Sequence, residues 1–67
     1  MITKDTILGE VRIKNCVIDI DGRNLEEGVD IFIDEDWVMN IVGKEESDFS
    51  IMSTEEIEKF LIKETPL

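Results

Sequence analysis

The sequence predicts a small α+β domain: an antiparallel sheet of four to five strands, open or curled towards a barrel, followed by one C-terminal helix. Three observations carry this. Apolar and polar residues alternate with a period of two through the first half of the chain, the signature of half-buried strands. The one strong helix signal lies at the end, near residues 53–64. Alanine, the best helix former, is absent altogether. With 67 residues the chain forms a single domain, 1–67, and any core it builds is modest.

From Ile7 to Lys14 the alternation is regular, with Val11 and Ile13 apolar between Glu10, Arg12 and Lys14. The phase then changes: Cys16, Ile18 and Ile20 become the apolar series opposite Asp19 and Asp21, which predicts either a turn at Lys14-Asn15, the preferred reading, or a bulge that resets the register. Asp21-Gly22 is a breaker, and Asn24 through Gly28 reads as loop. Val29 to Ile33 is a strand, Asp34-Glu35-Asp36 a tight connection, and Trp37 to Val42 the return strand. Simple alternation puts Val29, Ile31, Ile33, Trp37, Met39 and Ile41 on one face. Phe32, Val38 and Val42 then make the other face apolar as well, which marks them as candidates for self-association. Gly43 to Asp48 reads as a polar turn and Phe49 to Met52 as a short last strand.

The helix runs from Thr54 to about Glu64. Ser53 and Glu56 form a capping box, Met52 and Ile57 a hydrophobic staple, and Ile57, Phe60 and Leu61 a stripe that must cover a sheet face. Glu55 and Glu56 sit at the positive end of the helix dipole, Lys59 and Lys63 towards the negative end, and Pro66 marks the stop.

Seventeen acids against seven bases give a net charge of −10, and the excess is local. Residues 1–17 and 59–67 each sum to +1, whereas residues 18–58 sum to −12. Such a field repels phosphates and anionic membranes and attracts basic surfaces, which argues against direct nucleic-acid or membrane binding. Catalysis is disfavoured too. There is no histidine, and no serine lies in a nucleophile motif; a domain this small has little room to tune a carboxylate pair, so no catalytic residue is assigned. The lone Cys16 reads as a small core residue in a cytoplasmic protein without disulfides. No leader sequence or membrane span is recognisable. Asp19-Ile20-Asp21-Gly22-Arg23-Asn24 departs from a calcium loop at its third ligand and its glycine, zinc lacks ligands, and neither metal nor cofactor is expected.

What remains is the acidity itself. Glu26, Glu27, Asp30, Asp34, Glu35, Asp36, Glu45, Glu46 and Asp48 are the candidate partner-binding residues of a non-enzymatic interaction module. In its sharpest form the module is a DNA mimic of the sort phage and mobile elements encode, whose carboxylates occlude the basic groove of a nucleic-acid-binding protein. The alternative is an assembly module that pairs as a homodimer, or docks, through the 29–42 hairpin. An acidic coat also keeps an isoleucine-rich domain soluble, so charge alone does not single out either.

Overall fold

A computed structural model describes residues 1–22 and 24–64. Four strands, β1 (Ile2–Thr6), β2 (Gly9–Asp19), β3 (Leu25–Ile33) and β4 (Asp36–Val42), precede two helices, α1 (Glu46–Ser50) and α2 (Thr54–Glu64). The strands form one antiparallel meander in the order β1-β2-β3-β4, so β1 and β4 are both edges and the sheet is open, not a closed barrel. The α+β class and the C-terminal helix are as the sequence indicates.

Both helices lie on one face. Val11 and Ile13 from β2, Val29 and Ile31 from β3, Phe49 from α1, and Ile57 and Leu61 from α2 are buried. Phe49 and Phe60 meet edge to face with ring centroids 5.4 Å apart, which ties the two helices together. The capping box closes in both directions: the Ser53 amide donates to Glu56 Oε1 at 3.0 Å, and the Glu56 amide to Ser53 Oγ at 3.2 Å. Pro66 lies outside the described residues.

The sequence expectations fail in four places. The first turn is at Ile7-Leu8, not at Lys14-Asn15, and it is closed by polar neighbours. Leu8 donates its amide to Thr6 Oγ1, Thr6 Oγ1 donates to the Gly9 carbonyl, and Ile7 donates its amide to Glu58 Oε1 of α2. Two apolar residues in the turn disguise it as strand. β2 then runs unbroken through Asn15 to Asp19. Its apolar series changes face because the helical layer covers only the Val11–Ile13 stretch, and beyond it the apolar residues Cys16 and Ile18 lie on the opposite face.

Second, residues 25–28 are strand. Gly28 faces Val42 in the ladder, and the Ile41 carbonyl oxygen and the Ile18 side chain occupy the space its Cβ would need. Glycine stands there for close approach, not for a turn. Third, residues 46–50 form a helical turn where a turn and a strand were expected. The Glu45 amide donates to Asp48 Oδ2 at 2.9 Å, a capping arrangement built on acids in place of serine or threonine, and it delivers Phe49 to the core. Fourth, Val38 is the extra residue of a β-bulge: Ile31 faces Met39, but Phe32 faces Trp37. The bulge moves Trp37 off the face of Met39 and Ile41 and onto that of Phe32.

The β3–β4 connection has Asp34 at φ 50° and Glu35 at φ 76°, a left-handed pair that glycine and asparagine usually supply. Asp34 is locked: its amide donates to the Glu10 carbonyl at 3.0 Å and its Oδ1 accepts the Glu10 amide at 2.9 Å. The same carboxylate fills the space above Gly9, itself at φ 123°. Glu35 carries the strain exposed. Replacing Glu35 by Gly should therefore stabilise the fold by roughly 0.5–1 kcal/mol, after allowing for the entropy glycine adds to the unfolded chain. Gly28→Ala should destabilise it by roughly 1–3 kcal/mol. Urea unfolding followed by Trp37 emission measures both, and a Glu35→Gly variant less stable than wild type would contradict the assignment of strain.

Candidate interaction face

One side of the sheet is covered by helices and the other by none of the described residues, so the bare side is the candidate site. The register places its residues in rows. Thr3, Arg12, Phe32 and Trp37 form one row, Lys14, Asp30 and Asn40 the next, and Cys16, Gly28 and Val42 a third. Trp37 is 56% exposed and Val42 45%, while Phe32 is half-buried between its neighbours. The Trp37 indole is tethered: its Nε1 donates to Asp30 Oδ1 at 3.1 Å.

Each cation of this face has an acid beside it or across the strand from it. Arg12 Nη2 lies 2.8 Å from Glu10 Oε1, and its Nε donates to the same oxygen at 2.9 Å. Lys14 stands directly across from Asp30. A shallow depression beside Phe32 is lined by Met1, Arg12, Lys14 and Glu35. Glu26, paired with Ile18, and Asp5, paired with Glu10, add charge at the margins, so the face as a whole is negative.

Cys16 sits on this face, half-buried in the interior of β2, and is not part of the core that the sequence suggested for it. Desolvation, and then the charge and hydrogen bonding of Asp30, raise its thiol above the ordinary value, with Lys14 opposing weakly. The thiol is therefore protonated at neutral pH and poorly suited to nucleophilic attack.

The nine candidate acids are not gathered on one surface. Glu26 and Asp30 lie on the bare face, four residues apart along β3 or about 13 Å. Glu27 points the other way, beside Val17 on the side of the helices. Asp34, Glu35 and Asp36 cluster at the β3–β4 turn, and Glu45, Glu46 and Asp48 belong to α1 and its cap. Several are structural: Asp30 holds Trp37, Asp34 holds Glu10, and Asp48 caps α1. Glu46 is the most committed. It exchanges hydrogen bonds with Asn15, its Oε2 accepting the Asn15 amide and its own amide donating to Asn15 Oδ1, each at 2.8 Å, and its Oε1 meets the Met1 ammonium at 2.6 Å. Of the three residues singled out for self-association, Phe32 and Val42 share the bare face and Val38 lies at the bulge on the β4 edge. Missed from the sequence was the pairing of Trp37 with Asp30, because a bulge leaves no trace in the residue types.

Among the described residues, no three His, Cys, Asp or Glu side chains converge as metal ligands. No described helix is long and apolar enough to cross a membrane. The chain matches no protein-family model, no curated protein and no solved structure. Fold and face together define its class: a small open-faced α+β sheet domain with an exposed aromatic set among carboxylates.

The Glu46 carboxyl is held below the usual range, first by the Met1 ammonium and then by the Asn15 amide; Glu56 is lowered by its Ser53 cap bonds. A carboxyl with a depressed folded-state value adds stability above its unfolded value, roughly pH 4.3, and that stability disappears as pH falls through the folded value. Stability should thus hold from neutral pH to about pH 5 and decline below it. Glu46→Gln should lower the neutral plateau and flatten the acid limb, as read by urea midpoints between pH 7 and pH 3; an unchanged acid limb would exclude Glu46 as a source.

Proposed function

We propose that this protein is a non-enzymatic interaction module that docks its bare sheet face on a basic protein surface. Trp37 is the anchor and the surrounding carboxylates select the partner. The observation that carries the reading is the exposed Trp37, hydrogen-bonded to Asp30 on a face that no part of the described chain covers. Large aromatic side chains in a charged rim are the usual centre of binding energy, and the charge sets approach rate and choice of partner. Arg12 is paired with Glu10 and Lys14 stands across from Asp30, so the charge left to the partner is that of Asp5, Glu26 and, at the turn, Glu35. The strained, exposed Glu35 supports the same reading, since glycine would serve the turn at lower cost. A single unpaired cysteine fits a reducing compartment, so the partner is sought among cytoplasmic basic proteins. The DNA-mimic form of this proposal draws on Glu26 and Asp30 along β3, and its carboxylate row is short because the other acids face elsewhere.

The single tryptophan makes the test direct. Titration with an Arg- and Lys-rich synthetic peptide should shift Trp37 emission, with a dissociation constant that rises steeply with salt. The triple variant Asp5→Asn, Glu26→Gln, Glu35→Gln should weaken binding at least about tenfold, equivalent to about 1.4 kcal/mol. Immobilised wild-type protein should capture a basic partner from lysate that a Trp37→Ala variant, folded by circular dichroism, does not. Displacement of that partner by duplex DNA distinguishes groove occlusion from docking elsewhere. Peptide binding that is indifferent to salt and to the triple substitution would remove the proposal.

A further inference from the structure

The edge of β4 is unlike the rest of the molecule. Residues 37–43 are the longest uncharged run in a chain that is 36% charged, and they lie on an open sheet edge. The opposite edge is guarded. β1 carries Lys4 and Asp5, α2 packs beside it, and Glu58 takes the Ile7 amide at its end. The helices make their main contacts with β1 and β2, and β4 meets the core only through the inward side chains Met39 and Ile41.

The direction of the β4 backbone follows from one bond. The Gly43 amide donates to the Glu27 carbonyl at 3.0 Å, which makes that a bonded pair of the antiparallel ladder. Alternation then makes Val29–Ile41 and Ile31–Met39 the bonded pairs, and turns the amides and carbonyls of Asn40 and Val42 away from β3. These groups line an edge seven residues long.

We infer that β4 pairs with β4 of a second copy of this chain, antiparallel, about a twofold axis at Asn40. The register is self-complementary. Asn40 faces Asn40 of the second copy as a bonded pair, Val42 faces Val38, and Met39 faces Ile41 on the side of the helices. Antiparallel pairing brings Asp36 of each copy to the end where Lys44 of the other leaves the strand, so opposite charges come near each other at both ends of the seam, the bulge keeping them from being a strict cross-strand pair. Moving the axis to Met39 would set Asp36 against Val42, and moving it to Ile41 would set Asp36 against Glu46. The bulge at Val38 loosens one end of each strand and leaves Met39 to Val42 regular. The product is a continuous eight-stranded sheet whose two bare faces join, bringing two Trp37 anchors onto one surface. This surface is distinct from the docking face proposed above, and the two inferences fail separately.

Charge supplies the sign of the test. Two chains of −10 repel, so dimerisation should strengthen with added salt, whereas docking on a basic partner should weaken. Sedimentation equilibrium of the intact chain in 0.5 M salt should give the mass of two 7.7 kDa chains. Asn40→Lys makes each copy less acidic yet places two like charges face to face on the axis, so it should return the protein to monomer with its fold intact by circular dichroism. An interface elsewhere would be strengthened by that substitution. In a Cys16→Ser background, Asn40→Cys should oxidise to a disulfide-linked dimer, since bonded cross-strand positions lie about 5.5 Å apart; Thr3→Cys on the β1 edge should not. A monomer at every concentration in salt, a dimer that tolerates Asn40→Lys, or cross-linking no faster at position 40 than at position 3 would each overturn the inference.

Discussion

The structure depends on a mismatch of size: the sheet is larger than the helical layer that covers it. Eleven residues of β2 run through its centre, yet only Val11 and Ile13 are roofed by Phe49, Ile57 and Leu61. Where the roof ends, the sheet needs a polar seal, and Asn15 supplies it. β1 stops at Ile2, opposite Ile13, so the Asn15 amide has no strand partner on that side and is taken by Glu46 instead. The reciprocal bond from Glu46 to Asn15 Oδ1 satisfies one orphan amide of α1 in the same stroke. A helical turn too short to be stable alone is thereby fastened to the sheet, and Phe49 is carried into the core.

The bare face follows from the same mismatch. An antiparallel sheet can present one side to water if its residues are mostly polar or internally matched. Most of this face obeys: Arg12 pairs with Glu10, Lys14 stands opposite Asp30, and Asp30 also satisfies the indole of Trp37. What does not fit a purely solvated surface is the aromatic area of Trp37 and Phe32 together with Val42. The functional reading rests on that residue of apolar surface inside a negative field, and the edge of β4 continues it to the border of the sheet.

Much of the fold was legible because local rules dominate where they are strong. The capping box at Ser53, the i, i+3, i+4 stripe of α2, and the β3–β4 hairpin around Asp34-Glu35 are decided by residues close in sequence. The candidate site was less legible. Nine acids could be named from composition, but their distribution over two faces and the α1 cap depends on strand register. A period-two reading puts Trp37 with Met39 and Ile41; one extra residue in β4 reverses that, because every side chain beyond a bulge changes face.

By itself, then, the sequence determined the class of the domain, the C-terminal helix, the β3–β4 hairpin and the acidity of the chain's middle, all of them properties of short segments or of composition. Tertiary structure alone decided the rest. Gly28 is strand because Ile41 crosses close above it, and Ile7-Leu8 can be a turn because Glu58 and Thr6 accept its amides. Residues 46–50 are helix because Asn15 and the core receive them. Trp37 lies on the bare face because Val38 bulges. In each case at least one deciding partner is distant in sequence or the cause is a register shift, and neither can be read from the neighbours of a residue along the chain.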